Sequence, residues 1–148
     1  MNSTPLQVHR ITTEAELEAA LAIRHNVFVL GQNVPAGLEN DAHDRTDAIH
    51  YLALTADGQP CGAARWRLTE AGVKLERFAV LAEYRNQQAG AALLAAVLRD
   101  VQAAHPAALV YLNAQLPAVR FYERHGFTKA GEKFVEADIE HYKMSWQR

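Results

Sequence analysis

The residues best suited to hold an anion lie in the run FAVLAEYRNQQAGAALL, Phe78 to Leu94. It reads as a strand, a short turn opened by Arg85, and an amphipathic helix beginning near Gly90. The first amides of a helix lack intrahelical partners and carry the positive end of its dipole. Such a corner seats phosphate, and the reading here is the pyrophosphate of a nucleotide-bearing cofactor. Neither the P-loop nor the dinucleotide glycine pattern is present, which disfavours those two nucleotide folds.

Other residues with chemical capacity surround this run. Glu39, Asp41, Asp44 and Asp47 crowd the long connection LGQNVPAGLENDAHDRTDA. Long connections inside small domains are often functional. This one is read either as a solvated acidic loop or as the border of a pocket that attracts a cation. Its carboxylates and His43 match no metal-ligand spacing, and no metal is expected. Arg65 and Arg67 share one face of a strand, where they are either solvated or aimed at an anion. His50 and His141 lie in strands, while His9, His25, His43, His105 and His125 read as surface or cap residues.

The elements that must position these groups follow in order. LQVHRI is a short strand. Thr13 and Glu16 form a capping box for a helix from Glu14 to about Phe28, with Leu17, Leu21, Arg24 and Phe28 along one side. His50–Thr55 and Pro60–Leu68 make a hairpin around Asp57–Gly58. The next strand is VKLERFAV, with Leu75, Arg77 and Ala79 opposite Glu76, Phe78 and Val80. Gly90, Leu93, Leu94, Val97, Leu98 and Val101 keep helical spacing up to the stop at His105–Pro106. AALVYLNA is a buried strand. Pro117 opens another helix, Gly126 closes it, and two further strands end the chain. The order is β-α-β-β-β-α-β-α-β-β, an α/β (α+β) arrangement with one mixed sheet and helices on its faces.

The totals bound the reading. A chain of 148 residues suits one domain, taken as 6–148 after a loose tail at 1–5. A net charge of −2 supplies no basic footprint, so nucleic acid is not an expected partner. Cys61 is the single cysteine and is expected to be a small buried apolar residue. The opening MNSTPLQVHR has no apolar core of a signal peptide, and no run approaches a bilayer span. A cytoplasmic protein without membrane contact is the expectation.

The element order and three motifs resemble the GNAT superfamily of N-acetyltransferases. FAVLAEYRNQQAGAALL is similar to the family's pyrophosphate turn, with Arg85 first, Gly90 last, and Gln88 where the family carries its middle glycine. LNAQLPAVRFYERHGF is similar to its Asn-x-x-Ala-x-x-Phe-Tyr-x-x-x-Gly-Phe segment. Here Gln115 replaces the Asn, while Ala118, Phe121, Tyr122, Gly126 and Phe127 match. IRHNVFVLGQNVP and GEKFVEADIEHYKM resemble the ElaA-like bacterial branch.

The resemblance implies a mostly antiparallel sheet of about six to seven strands. It also implies transfer of acetyl from acetyl-CoA to the primary amine of a small molecule. The backbone of Phe78, Ala79 and Val80 would then hold the pantetheine arm. Arg85, Asn86, Gln87, Gln88, Ala89, Gly90 and Ala91 would hold the pyrophosphate, and Gln115 would bond the pantetheine. Val80 or Phe78 would offer an N–H to the oxyanion. Tyr122 would touch the cofactor and protonate the leaving thiolate. Glu76 is the candidate base, with His50, His141, Glu39, Asp41 or a water chain as alternatives. An acidic loop favours a cationic acceptor, whereas Arg65 and Arg67 favour one bearing phosphate or carboxylate. A homodimer is compatible with this reading, and a non-catalytic acyl-CoA-binding module is the alternative function.

Overall fold

The computed structural model describes residues 6–148, so the expected tail lies outside the described residues. The first helix starts where the capping box requires. The Thr13 hydroxyl accepts from the Glu16 amide at 3.2 Å, and the Glu16 carboxylate accepts from the Thr13 amide at 3.1 Å. This helix, α1 (Glu14–Arg24), then widens into a π-helical stretch, His25–Leu30, rather than continuing as α-helix through Phe28. The long connection that follows is not structureless. It contains the single turn α2 (Ala36–Glu39) and a 3₁₀ turn, Ala42–Arg45.

The strands are β1 (Gln7–Arg10), β2 (Ile49–Leu54), β3 (Pro60–Thr69), β4 (Gly72–Val80), β5 (Val110–Gln115), β6 (Phe127–Lys129), β7 (Phe134–Glu136) and β8 (Ile139–Trp146). They form one 8-stranded sheet in the order β1-β2-β3-β4-β5-β8-β6, with β7 also paired to β8. The sheet is mostly antiparallel, as the family resemblance implied, and β4 and β5 run parallel. The C-terminal segment yields three strands rather than two. Ala137 and Asp138 both adopt positive φ (51° and 61°) and turn β7 back onto β8. A type I′ turn built on Ala carries no composition cue.

Helices α3 (Ala89–Ala104) and α4 (Val119–Arg124) cover one face of the sheet. Leu93, Leu94, Val97 and Val101 of α3 are fully buried against Tyr51, Trp66, Val73 and Leu75. Each such aliphatic side chain contributes about 1.5–3 kcal/mol of burial. Gly126, at φ 92°, ends α4 as its left-handed C-cap. Cys61 is buried in this core. Helix α1 covers the other face with a smaller cluster of Ala20, Ile23, Val27, Leu52, Ala63 and Ala79.

Strand β4 does not alternate simply. Ala63 pairs with Ala79, but Arg65 pairs with Glu76, so β4 carries one extra residue there. This is a β-bulge, and Arg77 sits in it at φ 59°. Leu75, Phe78 and Val80 consequently face the α3 side, while Ala79 joins the α1 cluster beside Ala63. The simple alternation, which grouped Leu75 with Ala79, is corrected by this bulge.

Three of the four carboxylates of the acidic connection, Glu39, Asp41 and Asp44, are committed to arginines, while Asp47 stays exposed and bonds His43 at 2.8 Å. Arg24 is 1% exposed and binds Glu39 at 2.7 Å and Asp44 at 2.6 Å. Arg65 is 0% exposed and binds Asp44 at 2.6 Å, Asp41 at 2.8 Å and Glu76 at 3.0 Å. Arg77 adds Asp41 at 3.2 Å and Glu39 at 3.5 Å. His50 donates through Nε2–H to the Asp44 carbonyl, 2.9 Å away, and burial holds its pKa below the ordinary value. The connection is thus pinned to the sheet by buried charge. Removing Asp44 takes one carboxylate from both Arg24 and Arg65 and leaves their buried charge under-compensated, at a cost of up to about 3–5 kcal/mol. Asp44→Asn is therefore expected to lower unfolding free energy in urea by about that amount. A loss below about 1 kcal/mol, the range of exposed pairs, would contradict the role given to Asp44.

Candidate functional site

Strands β4 and β5 pair only from Val73/Val110 to Leu75/Leu112. Beyond that point the bulge on β4 separates them, and a cavity of about 600 Å³ opens between the two strands. Its walls include Phe78, Ala79 and Val80 from β4, Asn113 and Gln115 from β5, and Tyr122 from α4. A second cavity, of about 610 Å³, continues over the turn and the start of α3. Phe78, Val80, Arg85 and Tyr122 line both, so the two form one channel.

The β4 side of this channel is open backbone. The Leu81 amide donates to the Cys61 carbonyl across β3 at 3.0 Å. In an antiparallel ladder the bonding direction alternates, so the Val80 groups, between Leu81 and Ala79, point away from β3 toward the cleft. Arg85 folds back, and its Nε donates to the Val80 carbonyl at 3.2 Å.

At the other end, α3 begins without a cap. Gln88 stands at the N-cap position in the left-handed region (φ 72°, ψ 8°), and no side chain bonds the first amides. The earliest intrahelical amide bond is from Ala92 to the Gln88 carbonyl, 2.9 Å. The amides of Ala89, Gly90 and Ala91 therefore remain open at the mouth of the channel, at the positive end of a 16-residue helix. Gln88 meets the turn with a left-handed backbone, not the right-handed helical one that a non-glycine residue prefers. Asn86, at φ 64°, is left-handed as well. Gly90 faces Phe121, whose ring would lie 3.6 Å from an added Cβ. Gln87 bonds the Glu83 carbonyl at 3.2 Å.

Tyr122 is held by rings on three sides: Phe78 at 6.3 Å, Phe121 at 5.1 Å and Phe127 at 5.7 Å, all edge-on. Its hydroxyl has no hydrogen-bond partner among the described residues, and the residue lines both parts of the channel. Burial pushes its phenol well above the ordinary value, so it stays protonated at neutral pH. Gln115 is not free. It exchanges two amide hydrogen bonds with Gln32, at 3.1 and 2.9 Å, across the cavity.

The residues read as acid–base or acceptor groups separate into two sets. His141 lines the cavity and stacks on Phe134 at 5.6 Å. Its Nδ1 faces the Ile139 carbonyl at 2.7 Å and must donate there, so in the neutral ring Nε2 is the acceptor. His50 is 8% exposed and does not reach the cavity lining. Glu76 reaches the lining but is shared by Arg65, Arg67 and Lys74. Burial alone would raise its pKa. The Arg67 hydrogen bond and the charges of Arg65 and Lys74 outweigh that and hold it below the ordinary carboxylate range. Glu39 and Asp41 also touch the cavity, with their carboxylates already paired. Arg65 is enclosed by carboxylates, whereas Arg67 keeps one edge on the cavity. Gln32, Lys74 and Arg77 belong to the site without any local signal in the sequence.

With this geometry in place, the family is plain. Residues 12–148 match the acetyltransferase (GNAT) domain family, and the chain belongs to it. It is 36% identical over 132 residues to the uncharacterized N-acetyltransferase YjcF of Bacillus subtilis, covering 88% of this chain and 92% of that protein. Among solved structures, an acyl-CoA N-acyltransferase from Pseudomonas aeruginosa superposes with a TM-score of 0.84 at 30% identity, covering 98% of this chain and 100% of that one. ElaA of Escherichia coli gives 0.84 at 29% identity, covering 97% and 99%. The described residues contain no helix long and apolar enough to cross a membrane.

The charge set beside the cleft has a pH signature. Asp41, Asp44 and Glu76 all have folded pKa values below their unfolded ones, which lie at about 4. Their stabilisation is complete above that value and is lost as pH falls through the depressed folded values. Unfolding free energy is therefore expected to drop steadily from about pH 4.5 downward. Urea midpoints measured from pH 6 to 3 check this, and a flat profile would remove the network from the stability of the domain.

Proposed function

We propose that this protein transfers acetyl from acetyl-CoA directly to the primary amine of a small molecule. One observation carries the reading. A parallel strand pair splays into a channel with open β4 backbone on its wall, uncapped α3 amides at one end and a protonated, unpartnered Tyr122 hydroxyl between.

In this reading the pantetheine arm lies along Phe78–Val80 as an added strand. The pyrophosphate sits on the amides of Ala89, Gly90 and Ala91, with Arg85, Asn86, Gln87 and Gln88 shaping the turn. Gln115 exchanges Gln32 for the arm's amide. The Val80 N–H, already directed into the cleft, or that of Phe78 stabilises the oxyanion as the amine attacks the thioester carbonyl. The C–N bond forms, the C–S bond breaks, the CoA thiolate takes the Tyr122 proton, and the proton shed by the acylated nitrogen restores the phenol. His141, through its Nε2 lone pair, removes the proton of the incoming ammonium. The base role moves from Glu76 to His141 because three cations stabilise the Glu76 carboxylate and weaken its hold on a proton.

Release of free thiol from acetyl-CoA across a panel of primary amines tests the reaction. Tight acetyl-CoA binding with no turnover on any amine would favour a binding module instead. Tyr122→Phe should lower kcat by about 10²-fold or less, with CoA affinity nearly intact. Its fold should be unaffected, because the hydroxyl has no protein partner to orphan. An unchanged kcat would take Tyr122 out of the acid role. Gly90→Glu places a carboxylate at the open α3 amides and should abolish CoA binding in calorimetry; retained affinity would displace the pyrophosphate from that corner.

A further inference from the structure

The cavity has a second end, beyond the bulge, where the wall is basic. Arg67 on β3 and Lys74 on β4 are direct cross-strand partners, so their side chains lie side by side on one face. Like charges in that position repel. Both lean on Glu76: Arg67 Nε at 2.8 Å and Lys74 Nζ at 3.3 Å. Arg65 uses the same carboxylate. One negative charge therefore serves three cations.

The cations ion-paired around Glu76 and its neighbours are Arg24, Arg65, Arg67, Lys74 and Arg77, and the carboxylates they contact are Glu39, Asp41, Asp44 and Glu76. Asp47 also acts on Arg67 through space, but its carboxylate bonds His43 at 2.8 Å and does not contact the guanidinium. The carboxylates of Glu39 and Asp44 are almost fully buried, whereas Arg67 and Lys74 stand at the cavity edge with side chains 18% and 20% exposed. Arg67 bonds Glu76 through Nε only, so the two terminal nitrogens of its fork have no protein acceptor among the described residues. Lys143, the cross-strand partner of the cavity residue Asn113, lies over the Tyr111 ring at 5.0 Å and has no carboxylate partner among them either. Glu136, exposed on β7, is the one lining carboxylate outside this network.

We propose that Arg67 and Lys74 seat an oxyanion of the acceptor, a carboxylate or a phosphate, so that the substrate is an amine that also carries an anionic group. The two free guanidinium nitrogens of Arg67 present the fork that such groups accept bidentately. Lys74 adds a point charge beside it, and the anion completes the neutralisation that Glu76 begins. A polyamine, with only positive charge, meets repulsion at this wall. This assignment deepens the transferase reading of the same cavity and rests on it.

The experiment compares four primary amines of similar length in the thiol-release assay: ethanolamine, ethylenediamine, β-alanine and O-phosphoethanolamine. At least one anionic member should exceed ethanolamine in kcat/KM by about tenfold or more, and the better of the two identifies the anion. Arg67→Met should bring that ratio to within about twofold of one, since the charge-assisted bonds are gone. This substitution leaves Glu76 with Arg65 and Lys74, so no buried carboxylate is orphaned, and Lys74→Met serves as a second variant. Equal rates for all four, or preference for ethylenediamine, would overturn the seat while leaving the transferase standing. If no amine is turned over, inorganic phosphate added at saturating CoA decides. A rise in wild-type Tm that Arg67→Met loses supports the seat and fails the transferase reading alone. No rise overturns the seat.

Discussion

Arg77 occupies a left-handed backbone conformation in the middle of a strand, and the cleft exists because it does. A non-glycine residue there costs on the order of 1–3 kcal/mol and persists only where its surroundings enforce it. The enforcement is visible. The Arg77 guanidinium donates to the Leu38 and Glu39 carbonyls and to Asp41, so the connection on the α1 side grips the bulge. The bulge separates β4 from β5, and the separation leaves β4 backbone as one wall of the cavity.

The charge network therefore acts structurally and locally at once. Arg24 and Arg65 bring the carboxylates of Glu39, Asp41 and Asp44 onto the sheet, which places Arg77. An arrangement of this kind is poor evidence of net stability, since desolvation offsets the attraction. Its value lies in geometry. It fixes one position for a connection that has little apolar surface of its own, and it leaves the cations nearest the cavity sharing one carboxylate.

Elements with strong local signals were legible in the sequence. Helix α3 announced itself through its i, i+3, i+4 spacing, α1 through Thr13 and Glu16, and the end of α4 through Gly126. The corner at Arg85–Gly90 was legible as well, because an uncapped helix start after a strand is a local arrangement. What escaped was nonlocal or irregular. The bulge sits on Arg rather than Gly, so period-two alternation ran straight through it and misassigned the faces of β4. The turn at Ala137–Asp138 hid β7 for the same reason. The sequence of the acidic segment leaves a solvated loop and a pocket border both open, because its partners Arg24, Arg65 and Arg77 lie in other elements and pairing across the fold leaves no trace in spacing; Glu39 and Asp41 do line the cavity.

The reciprocal amide pair between Gln32 and Gln115 joins residues 83 positions apart across the cavity. Each side chain gives one donor and one acceptor to the other. The pair ties the segment that follows the π-helical stretch to the end of β5, so the position of that segment on the cavity border is set by one exchange of amides rather than by apolar packing.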